Sequence, residues 1–260
     1  MSIFIKNTIF SGKFLLHLKE IDSTNNYAHN WIANNEPIEG TVIIADHQTA
    51  GKGQFGNIWK TKANQNLTFS LIYLPTFLLA TDAFYLNMSI SLGIANGLKY
   101  LFPNLNIAIK WPNDIYINRK KVAGILIENG ISGNYLKTSI IGIGLNVLQT
   151  NFDPDLPNPT SLLIEQKKQL SLSDILEVIL LKIEQEYLLL RGGQFSAILA
   201  RYNQFLYQKG LIATYLIPSI DKEKKFVGKI IGVTSDGKLE IAFENEIKHF
   251  YFKEVEFVID

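Results

Sequence analysis

The chain has 260 residues, 47% of them hydrophobic and 19% charged, which is the composition of an ordinary globular protein. Its formal net charge is +1 and it has no basic stripe, so DNA or RNA binding is not expected as a main role. The lack of cysteine excludes disulfides, thiolate metal sites and a cysteine nucleophile. No apolar run approaches the roughly 18 residues of a membrane helix, and residues 1–7 do not form a signal peptide. We therefore expect a cytoplasmic protein that does not associate with a membrane.

The first part of the chain predicts an α+β domain with a mixed β-sheet flanked by helices. Strands are predicted at 13–20, 41–45, 67–74, 106–111, 114–118, 122–129 and 135–146. Helices are predicted from the cap residues 22–26 to about 35, and over 82–101. Because the last four strands follow one another without long helices between them, the sheet is mixed rather than regularly βαβ.

A proline-rich loop at 153–159 precedes two more predicted helices. Ser171 and Asp174 form a capping-box pattern at the start of a helix that runs to 192–193, and a second helix covers 194–207. Short alternating segments at 211–217, 226–233, 238–243, 247–252 and 255–259 then predict a small β-barrel. We therefore expect two domains, residues 1–208 and residues 209–260.

The most informative stretch is Lys-Trp-Pro-Asn-Asp at 110–114, followed by Lys-Val-Ala-Gly at 121–124. Apolar strands flank both motifs, so we expect Lys110 and Lys121 to reach one place. Lys110 ends an apolar strand, where a lysine is costly unless an anion meets it. Lys121 also fits a solvated turn, because two basic residues precede it. Two fixed cations indicate a site that brings one anion up to attack another, as in nucleotide chemistry.

Several polar residues near these lysines allow two interpretations each. Asp114 is either a turn carboxylate or a ligand of Mg²⁺, which needs few protein carboxylates when phosphate oxygens complete its shell. Trp59 is either a platform for a nucleobase or a core aromatic residue. Residues 23–25 are helix caps, and such a helix start can also bind a small polar or anionic group.

Glycines mark two further candidate positions. Gly51, Gly53 and Gly56 form a glycine loop (residues 51–56) that is neither a Walker loop nor, in its context, a Rossmann fingerprint. Glycines at 142 and 144 interrupt a strand, which often indicates close approach of a ligand, and Asn146 would then bind that ligand or cap the next turn. The four histidines show no metal spacing.

Taken in order, these motifs resemble those of biotin protein ligases, from about residue 15 to the end of the chain. The matching motifs are Ser23 to Asn25, Gln48 to Gly53, Asn66 to Ser70, Lys110 to Asp114, Lys121 to Glu128 and Gly142 to Asn146. The resemblance implies a class II synthetase-like catalytic domain, an SH3-like barrel, ATP and biotin as substrates, and Mg²⁺. It further implies that the acceptor is a biotin carboxyl carrier domain of acetyl-CoA carboxylase or a related carboxylase.

The resemblance also assigns residues to roles. Lys110 and Lys121 would be catalytic, Asp114 would lie near Mg²⁺, and Gly124 would shape the floor of the biotin pocket. The residues implied to contact biotin or its adenylate are Ser23, Thr24, Asn25, Gln48, Lys52, Gly53, Gln54 and Lys121. Those implied to lie on the ATP side are Trp59, Lys110, Asn113, Lys121 and Asn146.

Two departures from the family pattern affect the expected function. Lys52, Gln54 and Phe55 stand where many members have arginines, so a cation that helps retain the adenylate is missing at Gln54. The stretch before Ser23 is too short for a helix-turn-helix domain, so transcriptional regulation is not expected. Alternatives are a lipoate or octanoate ligase of the same fold and a non-catalytic biotin-binding module. Edge strands would permit a homodimer.

Overall fold

The computed structural model describes residues 5–167, 170–218, 224–244 and 246–258, which form two β-sheets with five α-helices. The strands are β1 (Leu15–Ile21), β2 (Thr41–Gln48), β3 (Asn66–Tyr73), β4 (Ile107–Lys110), β5 (Asp114–Ile117), β6 (Lys120–Ser132), β7 (Tyr135–Asn146), β8 (Ile212–Ile217), β9 (Lys224–Val233), β10 (Leu239–Phe243), β11 (Glu246–Phe250) and β12 (Glu256–Phe257). The helices are α1 (Thr24–Asn34), α2 (Ala83–Leu101), α3 (Leu162–Gln166), α4 (Leu172–Arg191) and α5 (Phe195–Phe205).

The large sheet has the order β1-β2-β3-β7-β6-β5-β4. Its β1 and β2 run parallel and the other neighbours pair antiparallel, so the predicted mixed sheet is confirmed. Helix α1 covers one face over a small apolar cluster that includes Ala28 and Ile43. The short helix α3 was not predicted, because five residues are too few for a periodic apolar pattern.

Helices α2, α4 and α5 pack together over the main core. Gly93 and Gly97 on α2 allow close approach of α4, since a Cβ at Gly93 would lie 2.8 Å from the backbone nitrogen of Ile183. The predicted cap of α4 is confirmed, because the Ser171 side chain accepts a hydrogen bond from the amide of Asp174. This core continues into the last strands of the chain through residues such as Tyr215 and Ile230.

The last five strands form the C-terminal sheet (β8–β12), which is antiparallel in the order β11-β10-β9-β8-β12. The five predicted strands are confirmed. Closure into a barrel is not, because β11 and β12 stand at opposite edges among the described residues and β12 pairs through only Glu256 and Phe257. The last predicted strand ended at Ile259, which lies outside the described residues. Residues 1–4 of the segment 1–7, which was considered as a signal peptide, lie outside them as well. Within the described residues, every helix is too short or too polar to span a membrane.

A buried carboxylate fixes the N-terminal segment to α4. Glu184 is 1% exposed and accepts hydrogen bonds from the amides of Ile9, Phe10 and Ser11, at 2.6, 2.9 and 2.8 Å. Glu177, on the same helix but less buried, accepts hydrogen bonds from the amides of Lys6 and Asn7 at 3.0 and 3.2 Å. The two glutamates bind the same segment at different depths.

We expect Glu184→Gln to lower the free energy of unfolding by about 2–4 kcal/mol, because an amide group would face buried donors that a carboxylate now satisfies. Glu177→Gln is the matched control and should cost about 1 kcal/mol or less, since water can replace its contacts. Urea unfolding curves measure both. Equal shifts of the midpoint in the two variants would contradict the structural role given to Glu184.

Candidate active site

One cavity collects residues from the start of α1, the end of β2, the glycine loop and strands β5, β6 and β7. It encloses about 470 Å³, its open mouth included. The residues that line it are Ser23, Thr24, Asn25, Gln48, Lys52, Gly53, Gln54, Trp59, Asn113, Asp114, Lys121, Gly124, Ile125, Leu126, Gly142, Ile143 and Gly144. Nearly all residues chosen from the motifs therefore lie together, and Lys110 and Asn146 do not.

The start of α1 is held by side chains from neighbouring strands. Gln48 accepts hydrogen bonds from the amide of Thr24 at 2.7 Å and from its hydroxyl at 3.0 Å. Ser23 occupies the N-cap position, but its side chain makes no capping bond. The expected capping is thus supplied by Gln48 instead, which places the polar groups of the helix start at the cavity wall.

Asn25 is fixed on both ends of its amide group. Its Oδ1 accepts from the hydroxyl of Ser70 at 2.6 Å, and its Nδ2 donates to Glu128 at 2.6 Å. His29 also lies 3.3 Å from the same Glu128 oxygen. Sequence reasoning did not assign Ser70 or Glu128 to the site, although each ends one of the matching motifs. Their position at the motif ends was the available signal.

Trp59 lines the cavity and packs against the backbone of β6 and β7 at Gly124 and Gly144. A Cβ added to Gly144 would overlap the indole ring, and one added to Gly124 would lie 3.1 Å from its Cζ3. The indole Nε1 is buried and has no hydrogen-bond partner among the described residues. The glycines of these strands therefore accommodate the protein's own tryptophan.

A second glycine close approach involves α1. A Cβ added to Gly142 would overlap Oδ1 of Asn25 and lie 3.0 Å from its Cγ. The sequence interpretation attributed these strand glycines to a ligand. In the structure they first make room for Asn25 and Trp59, which themselves line the cavity.

Lys121 and Asp114 form an ion pair at the cavity wall, with Nζ 2.7 Å from Oδ1. Their side chains are 30% and 16% exposed, so both groups can meet a ligand without a large rearrangement. The backbone of Lys121 also holds the end of the proline-rich loop, because its amide donates to Asn158 at 2.9 Å and its carbonyl accepts from Thr160 at 2.9 Å. Nearby, Asn113 donates to the carbonyl of Ile125 at 2.6 Å.

Lys110 lies outside the lining of the cavity, although its ammonium group is close enough to interact electrostatically with Lys121 and with Asp114. Its Nζ lies 4.7 Å from the ring centre of Phe257 and 5.6 Å from that of Tyr116. Burial lowers the pKa of the Lys110 ammonium, and the nearby Asp114 carboxylate opposes that shift. Lys110 ends the edge strand β4, and its ammonium group makes cation–π contacts with these rings, one of which belongs to the C-terminal sheet. Its catalytic role stays a prediction.

Asn146 also lies outside the cavity lining. It is buried at the end of β7 and donates to the carbonyl of Thr160 at 3.0 Å, which fits the capping interpretation. Trp111, in the same motif as Lys110, donates to the carbonyl of Gly237 at 2.9 Å and thereby attaches the C-terminal sheet. No cluster of three or more His, Asp or Glu side chains that could hold a metal occurs in the described ranges.

The fold and the cavity together define an α+β enzyme site that suits a small polar molecule and an anion. Comparisons with known proteins agree. The model of the biotin/lipoate A/B protein ligase family matches residues 18–146. The bifunctional ligase/repressor BirA of Bacillus spizizenii is 31% identical over 248 residues, covering 94% of this chain and 74% of the relative.

Two further comparisons point the same way. The biotin–[acetyl-CoA-carboxylase] ligase of Mycobacterium tuberculosis is 32% identical over 133 residues, covering 50% of this chain and 48% of the relative. The structure of the biotin protein ligase from Aquifex aeolicus in complex with biotin and ATP has a TM-score of 0.78 and 27% identity, covering 94% of this chain and 98% of that one. The chain belongs to the biotin/lipoate A/B protein ligase family, and its similarity to biotin protein ligases confirms the resemblance seen in the motifs.

Proposed function

We propose that the protein activates biotin with ATP to form biotinyl-5′-AMP and pyrophosphate, and then transfers the biotinyl group to a lysine of a carrier domain. The observation that carries this proposal is the Lys121–Asp114 ion pair, which adjoins neutral polar groups of the α1 start in one cavity. The similar Aquifex aeolicus protein was solved with biotin and ATP.

The lining of the cavity suits the parts of biotin. Thr24, Asn25 and Gln48 offer neutral donors and acceptors for a cyclic urea. Ile125, Leu126 and Ile143 offer apolar surface for the fused ring and the aliphatic chain. A neutral bicycle with a single carboxylate tail would therefore place its charge toward the Lys121 end of the cavity.

In the first step an anion attacks an anion. A biotin carboxylate oxygen bonds to the α-phosphorus of ATP, the bond from that phosphorus to the bridging oxygen breaks, and pyrophosphate leaves. The Lys121 ammonium would leave its ion pair with Asp114, bind these two anions and stabilise the charge that develops between them. Asp114 is one carboxylate in a position to hold Mg²⁺, and one suffices when phosphate oxygens complete the shell. Bound Mg²⁺ would neutralise phosphate charge.

In the second step the lysine amine of the acceptor attacks the acyl carbon of the adenylate. The carbon–nitrogen bond forms, the carbon–oxygen bond to AMP breaks, and the amine loses a proton to solvent. Because AMP is already a good leaving group, the protein needs no nucleophile, which agrees with a chain that has no cysteine. We propose residues 1–208 as the unit that carries both steps, with residues 209–260 as a second unit, and leave the homodimer as a prediction.

Identification of the adenylate tests the substrate. The purified protein is incubated with Mg²⁺-ATP and equal amounts of biotin, lipoate and octanoate, and the adenylates are identified by mass. We expect biotinyl-5′-AMP alone. Lipoyl or octanoyl adenylate as the main product would favour the alternative ligase, and no adenylate at all would favour a non-catalytic binding module. Added carrier domain from an acetyl-CoA carboxylase should then consume the adenylate and gain one biotinyl group.

The glycine loop provides a prediction on adenylate retention. Gln54 lines the cavity, and its Oε1 is buried without a hydrogen-bond partner among the described residues. We expect Gln54→Arg to slow escape of biotinyl-5′-AMP by about threefold to tenfold, because a guanidinium can pair with the phosphate. Rapid filtration of the labelled complex measures the escape rate. Asn57→Arg adds the same charge at an exposed position of the same segment and should have no effect; equal rates in the two variants would contradict the prediction.

A further inference from the structure

The tip of the glycine loop contacts the C-terminal sheet through an aromatic pair. The rings of Phe55 and Phe252 are stacked with centres 5.0 Å apart. Lys253 places its Nζ 4.0 Å from the centre of the Phe55 ring. Phe55 is 65% exposed and has a positive φ of 54°, a conformation that bulky side chains rarely adopt. The turn after β11 provides the aromatic partner of this exposed phenylalanine, the ring of Phe252.

The partner side of the contact is itself well fixed. The turn that carries Phe252 is closed by the amide of Tyr251, which donates to Glu254 at 2.7 Å. Phe252 also packs edge-on against Trp111, with ring centres 5.8 Å apart. Trp111 in turn is hydrogen-bonded to Gly237. Phe55 therefore meets a surface that is anchored to both sheets.

The contact stands beside the cavity wall. Phe55 and Phe252 line a second cavity, and Gln54 and Leu126 line both that cavity and the candidate active site. Among the described residues, the backbone bonds within this segment join Trp59 to the carbonyl of Gly51 at 2.8 Å, Gly53 to that of Asn57 at 2.7 Å and Asn57 to that of Gln54 at 3.1 Å. Movement of Phe55 would carry Gln54 with it and open the active-site wall.

We propose that Phe55 is a positioning residue that holds the glycine loop over the adenylate by stacking on Phe252. The part that concerns the adenylate rests on the proposed function. The loop of this protein would then be closed by an aromatic contact with the C-terminal sheet.

Amide hydrogen exchange of the free protein tests the contact without any enzymatic activity. We expect Phe252→Ala to speed exchange of the Gly53 and Asn57 amides by about threefold to tenfold, the size of effect of a lost aromatic pair. Tyr251→Ala removes an adjacent exposed ring that contacts Lys238 and should leave both amides unchanged. Phe55→Ala should match Phe252→Ala, the double variant should add little, and Phe55→Tyr should retain wild-type exchange. Equal exchange in Phe252→Ala and Tyr251→Ala would overturn the proposal.

A second readout connects the contact to the reaction. In Phe252→Ala we expect biotinyl-5′-AMP to escape about threefold to tenfold faster, with pyrophosphate exchange at saturating biotin within about twofold of wild type. Faster amide exchange with unchanged escape would refute the role in retention. Absence of biotin-dependent pyrophosphate exchange in the wild type would reject the proposed function, while the amide measurement would still decide whether Phe55 is held by Phe252.

Discussion

Lys121→Ala should lower biotin-dependent pyrophosphate exchange by about 10²- to 10³-fold, the effect of removing one preorganised electrostatic group. Lys121 is the lysine of the cavity lining that lies beside the carboxylate Asp114, with 2.7 Å between Nζ and Oδ1. Without its ammonium, the biotin carboxylate and the α-phosphate would repel each other and the remaining Asp114 would repel both. Initial rates of exchange at saturating ATP and biotin measure the loss.

Stability provides the control for this variant. Because both side chains of the ion pair are partly exposed, Lys121→Ala should cost only about 1 kcal/mol of unfolding free energy. Lys120→Ala removes an exposed neighbouring lysine outside the cavity lining and should keep wild-type exchange and stability. Exchange within twofold of wild type in Lys121→Ala would show that the catalytic assignment of Lys121 is wrong.

Gly142→Ala is expected to weaken biotin binding by about 30- to 100-fold while leaving the sheet intact. The added methyl group would overlap Oδ1 of Asn25, and Asn25 has little freedom to yield because Ser70 and Glu128 hold its amide group on both sides. Displacing Asn25 would leave buried hydrogen-bonding groups without partners and change the wall that faces biotin, at a cost of a few kcal/mol. Equilibrium binding of biotin measures the change.

Gly192→Ala is the matched glycine substitution. Gly192 follows α4, its φ is −79°, and a Cβ there would make ordinary contacts at 3.4 and 3.5 Å with two helix carbonyls. Biotin affinity should therefore be unchanged in this variant. If Gly142→Ala also bound biotin like the wild type, the close packing of Asn25 on β7 would have no part in forming the site.

The motifs predicted most of the lining of this cavity because their residues stand near element ends, where the fold brings them together. Gln48 ends β2, the 23–25 cluster starts α1, and Lys121 is the second residue of β6, so their common cavity follows from the order of strands. The packing of Trp59 against Gly124 depends on where a loop folds back over two strands, and no local sequence pattern encodes this position.

Lys110 shows the limit of local reasoning from another direction. Lys110 ends an apolar strand, and burying a lysine there is costly unless an anion lies beside it. The sequence therefore predicted an anion as its partner. In the structure, the carboxylate of Asp114 and the rings of Tyr116 and Phe257 offset part of that cost. Phe257 comes from the distant C-terminal sheet, so this partner could not be read from the motif. Closure of that sheet could likewise not be predicted, because five alternating segments fit a closed barrel and an open sheet equally.

If one cavity joins biotin to the α-phosphate of ATP, isotope exchange between pyrophosphate and ATP measures this reaction without an acceptor protein. The purified chain is given ATP, Mg²⁺ and labelled pyrophosphate, with and without biotin. We predict label in ATP only when biotin is present, and a rate that falls by about 10²-fold or more in Lys121→Ala. No exchange with biotin, or equal exchange without it, would show that this cavity does not activate biotin with ATP.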